Sequence, residues 1–225
     1  MRIRAKGENT MTLEDLPQPI KDLILNASKM DDYEPLPNSY SITEIICCLR
    51  KIHFRRTLPK KQIDLKSANN FFRGNLWDRT FTSQFKRNQV RSTYRCTSVP
   101  ISISGKFDFI DENGILTDLK CPASLFFVKR EGKVSPQYEK QILFYCYTNA
   151  IPQGQIMYWD GAECLKIPVE VTEENCYDLI REIENKATIL YEAKQTGKAP
   201  TREQSKPEEW ECKCCDFQME CLTHE

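Results

Sequence analysis

The sequence has no apolar run long enough to cross a bilayer: its longest stretches, such as Ile142 to Tyr147, fall far short of the roughly 20 residues a membrane helix needs. Met1 to Thr10 also lacks the apolar run of a secretory signal. A soluble, cytoplasmic protein with no membrane partner is the expectation. There is no internal repeat and no low-complexity tract, which excludes solenoid and fibrous designs. Histidine is almost missing, and neither His53 nor His224 has a partner motif that would give it a role. Net charge is missing too, since 32 Lys and Arg balance 32 Asp and Glu. Evenly spread, that balance would argue against a nucleic-acid partner.

The charges are not evenly spread. Arg50 to Arg95 holds thirteen Lys or Arg against Asp64 and Asp78, whereas Asp160 to Glu225 holds sixteen acidic residues against eight basic. A basic half suits a face that meets phosphates, because each cation placed on a phosphate releases counterions; oppositely charged, solvated helix faces would give the same pattern. At 225 residues and 40% hydrophobic the chain can bury one sizeable core. Its eleven cysteines, in a chain without a secretory signal, read as reduced thiols and metal ligands rather than a disulfide framework.

Residues 1–40, punctuated by Pro17, Pro19, Pro35 and Pro37, read as an irregular arm with one short helix near Pro19 to Ser28. Ser41 or Thr43 can cap a helix to about Arg56, and Phe71, Phe72, Leu76, Phe81 and Phe85 mark a second from about Ser67 to Asn88. Ser98 to Ser104 and Lys106 to Cys121 then alternate like strands. A helix over Pro136 to Asn149, a hairpin about Asp160-Gly161 and a long helix from Thr172 to Lys194 follow, then a polar stretch and a cysteine-dense tail. This order predicts an α/β domain with a small mixed sheet flanked by helices.

The sharpest constellation is Gly105-Lys106-Phe107-Asp108, Asp118-Leu119-Lys120, then Gln141 and Tyr145. A three-residue loop Glu112-Asn113-Gly114, with Gly114 left-handed, pairs 111 with 115 and sets Asp108 opposite Asp118. A two-residue Asn113-Gly114 turn would shift the register and send the aspartates to opposite faces. In the first case Lys120 shares the chemical face, while Phe107, Phe109, Ile115 and Leu119 take the other. Asp108, Asp118 and the backbone carbonyl of Leu119 are hard oxygen donors suited to Mg²⁺ or Mn²⁺. Such an ion can lower the pKa of a bound water, and Lys120 can orient that water or steady developing charge. Gln141 and Tyr145, at i and i+4, can reach the same site.

In this order the residues resemble the RecB-like PD-(D/E)XK nucleases, whose pattern runs G-x-x-D, (D/E)-x-K, Q-x-x-x-Y. The resemblance implies a restriction-endonuclease-like core, catalytic roles for Asp108, Asp118, Lys120, Gln141 and Tyr145, and a further ligand in an upstream G-x-x-x-H segment. Here that segment is Gly74-Asn75-Leu76-Trp77-Asp78, so Asp78 stands where the family has histidine. Asp78 is the candidate third carboxylate, with a surface pair to Arg73 or Arg79 as its bland alternative.

The tail offers Cys212, Cys215 and Cys221 in a C-x₂-C-x₅-C array, and a fourth thiolate can come from Cys47-Cys48 on the first helix. Four thiolates could hold zinc or a [4Fe-4S] cluster. One distant cysteine followed by such an array resembles the iron-sulfur branch of the RecB-like nucleases. There the distant cysteine precedes Pro-Arg, which selects Cys48 through Arg50, although Leu49 replaces the proline. Cys214 is left a non-ligand, and Cys96, Cys121, Cys146, Cys164 and Cys176 are expected to be small core residues.

Over about Ser41 to Cys221 the chain is similar to the CRISPR-associated exonucleases of Cas family four. That likeness implies a metal-dependent exonuclease on single-stranded DNA that serves CRISPR adaptation, the defence step that processes or selects spacers, beside integrase proteins. Oligomers are compatible with it. Residues 41–225 would be one nuclease domain, with 41–66 and 198–225 as its cluster-binding part. Rivals are a free-standing nuclease of recombination, repair or a mobile element, and a DNA-binding assembly subunit whose centre has decayed. Trp77 and Tyr94 are candidates for stacking on bases.

Overall fold

The computed structural model describes residues 13–28, 36–59, 64–205, 207 and 209–223. Much of the expected irregular arm, residues 1–12 and 29–35, lies outside them, as does His224. The chain runs through helix α1 (Gln18–Ser28), strand β1 (Ser39–Ser41), helices α2 (Ile42–Ile45), α3 (Leu49–Thr57) and α4 (Leu65–Thr82), and strands β2 (Asn88–Arg95), β3 (Ser102–Ile110) and β4 (Leu116–Lys120). Helices α5 (Phe126–Glu131) and α6 (Pro136–Asn149), strands β5 (Gly154–Trp159) and β6 (Cys164–Val169), and the long helix α7 (Glu173–Thr196) follow. Short helices α8 (Arg202–Ser205), α9 (Glu209–Lys213) and α10 (Gln218–Thr223) close the chain. Two compact units divide it: Met1–Glu34 with Lys61–Trp77, and Pro35–Lys60 with Asp78–Glu225. Of the first, α1 and the N-terminal part of α4 are described; the second carries the sheet and every residue discussed below except Trp77.

The sheet is mixed, in the order β1-β3-β4-β5-β6, with β2 also paired to β3. The β1–β3 and β4–β5 pairs are parallel and the β2–β3, β3–β4 and β5–β6 pairs antiparallel. Helix α6 starts as its sequence directs: the Ser135 side chain accepts from the Tyr138 amide and Pro136 opens the first turn. Its buried residues Ile142, Leu143 and Phe144 join Phe107, Leu116 and Ile156 of the strands and Leu179, Ile183 and Leu190 of α7 in the main core.

Three departures from the sequence pattern matter for the site. The helix expected from Ser41 to Arg56 is broken. Ser41 and Glu44 form a capping box on α2, but Cys48 takes φ −59°, ψ 125° and restarts the chain as the N-cap of α3. Ile45, Ile46, Leu49 and Ile52 are all buried, so the apolar spacing runs unbroken across a bend it cannot register. The second helix ends at Thr82 rather than Asn88, because Phe85 leaves it to stack on Phe109 at 3.9 Å. Finally, β2 occupies Asn88–Arg95, where no strand is evident from the sequence: Ser92 is its one fully buried residue, so no apolar alternation marks it.

Candidate functional site

The turn after β3 fixes the register. The Asp111 amide donates to the Ile115 carbonyl at 3.1 Å, the Gly114 amide to the Asp111 carbonyl at 3.0 Å, and Gly114 takes φ 80°. Phe109 pairs with Thr117 and Ile110 with Leu116, so the next step of the ladder sets Asp108 opposite Asp118. This is the three-residue loop. The faces differ from the simple expectation, however. Leu116, Thr117, Asp118 and Leu119 are all buried, because β4 is an inner strand covered on both sides. Asp118 and Lys120 alternate with Leu116 and so lie on the face of the main core, whereas Leu119 packs with Phe109 and Met157 in a second cluster.

Around this strand the motif residues converge. Lys120 Nζ lies 2.5 Å from Asp118 Oδ2 and donates to Gln141 Oε1 at 3.2 Å. Gln141 in turn donates from Nε2 to Thr43 Oγ1 at 3.1 Å. Tyr145, one turn along α6, is 4% exposed and lies against β3 at Gly105. A Cβ on that glycine would sit 2.8 Å from the Tyr145 hydroxyl and 2.7 Å from Ile42 Cγ2, so any other residue would force one of these side chains to shift. Asp108 Oδ2 accepts from the Leu119 amide at 2.5 Å, so Leu119 contributes its N–H to the carboxylate pair.

Asp78, at the end of α4, is turned toward this group rather than into a surface ion pair. The amide of Gln89 donates to both of its oxygens, at 3.1 and 3.2 Å, and to Asp108 Oδ1 at 3.4 Å. Gln89 was not legible as a site residue. It holds φ 49°, a conformation non-glycine residues rarely adopt and one that concentrates at functional sites. Thr43 and Tyr138 were also missed; the Tyr138 ring centroid is 4.6 Å from Lys120 Nζ. Side-chain partners this far apart in sequence leave no spacing signal.

The electrostatics follow from crowding charges in a half-closed space. Burial, and then the Asp118 carboxylate, push the Asp108 carboxyl up to about 8. Burial pushes Asp78 up as well. For Lys120 burial works against the charge, yet Asp118 beside it holds the ammonium above its ordinary range. Burial raises the Tyr145 phenol further than the Asp118 and Asp108 carboxylates do, so it serves as a neutral hydroxyl.

Among the described residues no group of three or more His, Cys, Asp or Glu side chains is placed to hold a metal ion. The donor chemistry at the carboxylates nevertheless fits a hard cation. Asp118 Oδ2 is buried and meets only the Lys120 ammonium, at 2.5 Å, among the described residues. The Gln89 amide lies between Asp78 and Asp108, offering hydrogens to oxygens that a cation would otherwise take.

The four selected cysteines, Cys48, Cys212, Cys215 and Cys221, line one cavity between α3 and the tail. Burial raises the Cys48 thiol, and Cys215 is near enough to add to that shift. Arg50, 4% exposed, ties the two ends: it donates to the Cys221 carbonyl and the Pro200 carbonyl, each at 2.9 Å, and lies 3.1 Å from Cys221 Sγ. Cys214 is exposed. Cys146 and Cys176 are buried and Cys96 and Cys121 partly so, but Cys164 is exposed, since it begins a strand whose alternate residues face solvent. Tyr94 is no free stacking surface: its hydroxyl donates to Glu184 at 2.6 Å and its ring packs on the core. Trp77 is only partly exposed.

No protein-family model and no curated protein matches the chain. Among solved structures it is similar to SSO0001, with TM-score 0.66 and 16% identity over 92% of this chain and 97% of that one. It is also similar to the alkaline exonuclease LHK-Exo from Laribacter hongkongensis, with TM-score 0.52 and 11% identity over 78% of this chain and 98% of that one. At these identities what is shared is the fold: a mixed α/β frame on which a nuclease has been built.

Proposed function

We propose that the chain is a metal-dependent deoxyribonuclease that hydrolyses phosphodiester bonds at the Asp108, Asp118 and Lys120 centre, acting as an exonuclease on single-stranded DNA. The observation that carries this is the buried Asp118 carboxylate paired with Lys120 and set opposite Asp108, in a fold shared with an exonuclease. Asp108 and Asp118 would hold a Mg²⁺ or Mn²⁺ ion, with the Leu119 carbonyl and Asp78 completing the set. Such an ion supplies Lewis acidity toward the phosphoryl oxygens and acidifies water. Lys120, kept charged by Asp118 and aimed by Gln141, orients the attacking water and meets the charge that develops on the phosphoryl group. Thr43 holds Gln141, and Tyr145 walls the site as a neutral hydroxyl.

The thiol cavity is the place for a [4Fe-4S] cluster, or zinc as the less favoured alternative, acting to join the first helices to the tail. The cellular role proposed is spacer processing in CRISPR adaptation, beside integrase proteins. A free-standing nuclease of recombination or repair is the second reading, favoured by the fold shared with an alkaline exonuclease. The test is release of nucleotides from end-labelled single-stranded DNA with Mn²⁺ or Mg²⁺. Loss of release in EDTA and in Asp118→Asn is expected, and binding without cutting under either metal would favour the assembly-subunit alternative.

A further inference from the structure

Between Lys120 and Tyr138 the chain leaves the centre and returns to it, since the Tyr138 ring lies 4.6 Å from Lys120 Nζ. Helix α5 stands in this excursion. Its inner side is anchored: Leu125 is 2% exposed, its amide donates to Asp160 at 3.3 Å, and Val128 packs on the core, while Lys129 pairs with Glu163 at the surface. Its outer side is the reverse. Phe126 and Phe127 are 62% and 60% exposed, their rings meet edge to face at 5.4 Å, and the Arg130 guanidinium lies 5.9 and 4.9 Å from their centroids.

We propose that Phe126, Phe127 and Arg130 form a stacking platform for unpaired bases of a single strand entering the centre. The inference rests on the nuclease assignment and deepens it. Two adjacent exposed phenylalanines are unfavourable in water without an occupant, and aromatic faces accept any base. A guanidinium beside them answers the negative backbone that arrives with those bases. The anchors at Leu125 and Asp160 hold the platform in place, so ordering it on binding costs little.

The test uses the whole protein in EDTA, so that no cutting occurs, and compares by fluorescence anisotropy an oligothymidylate with an abasic strand of equal length. Wild type is expected to bind the base-bearing strand about 5- to 100-fold tighter. Phe126→Ala/Phe127→Ala should bind both strands equally, and Phe126→Leu/Phe127→Leu, which keeps apolar bulk without a ring face, should do the same. A base preference that survives either double variant overturns the platform while leaving the nuclease intact. So does a wild type that binds both strands equally yet cuts with metal, or loss of self-association as the sole effect of the variants. A wild type that neither binds nor cuts removes the nuclease assignment and the platform together.

Discussion

Burying Asp108 beside Asp118 and Asp78 has a thermodynamic consequence for the metal-free protein. An unfolded aspartate titrates near about 4, whereas Asp108 in the fold is pushed up to about 8. Between those values the folded state holds the extra proton, so stability is fully present below about 4 and is lost as pH rises toward 8. Asp78 is shifted the same way and adds to the effect. In EDTA the melting temperature is therefore expected to fall from pH 5 to pH 8. Asp108→Asn should flatten that slope, and excess Mn²⁺ at pH 8 should restore what deprotonation removes. A melting temperature that rises over this range would contradict the assignment. At this scale the sequence disclosed the acids, the lysine and the α6 residues, because their types and order carry the chemistry. It did not disclose Gln89, Thr43 or Tyr138, whose roles arise only where distant elements meet.

At the scale of elements, the β2–β3 hairpin brings basic residues to the edge of the centre. Arg91 pairs directly with Lys106, and both are exposed. Like charges opposite one another on a ladder are destabilising, which suits a surface that meets phosphate. The pair lies two residues along each strand from Gln89 and Asp108. Arg91→Ala/Lys106→Ala is expected to weaken binding to single strands of any sequence and to reduce the slope of log affinity on log salt by about 0.7 per cation removed. An unchanged slope, measured by titration at several salt concentrations, would place the DNA path elsewhere. This hairpin was half legible. The neighbouring β3–β4 register was not fixed by Asn113-Gly114, which suits a two-residue turn equally well; it followed from requiring Asp108 to face Asp118. Strand β2 was hidden because a strand with one solvated face and few apolar residues has no signature. Helix α6 was legible to its bounds, since Ser135, Pro136 and the buried spacing agree. The break between α2 and α3 was not, because both pieces bury the same face.

At the scale of the molecule, Arg50 joins the far ends of the second unit, and Cys48, Cys212, Cys215 and Cys221 line one cavity there. The spacing of Cys212, Cys215 and Cys221 and the single arginine after Cys48 led to this junction from sequence, although it spans most of the chain. What spacing could not supply is the occupant. Protein purified without oxygen is expected to be brown, and Cys215→Ala to lose both colour and soluble yield, because a structural site contributes folding energy. A colourless wild type with one bound zinc would replace the cluster with that metal, and a brown, stable Cys215→Ala would remove Cys215 from the ligands.

The proposed nuclease centre is tested most directly by Lys120→Ala. This substitution removes the ammonium beside Asp118 and leaves both carboxylates, so holding the cation and performing the chemistry can be separated. With end-labelled single-stranded DNA and Mn²⁺, the variant should still bind strand and metal but cut at least about 100-fold more slowly than wild type. Cleavage by Lys120→Ala at the wild-type rate would place the reaction outside the Asp108–Asp118–Lys120 centre.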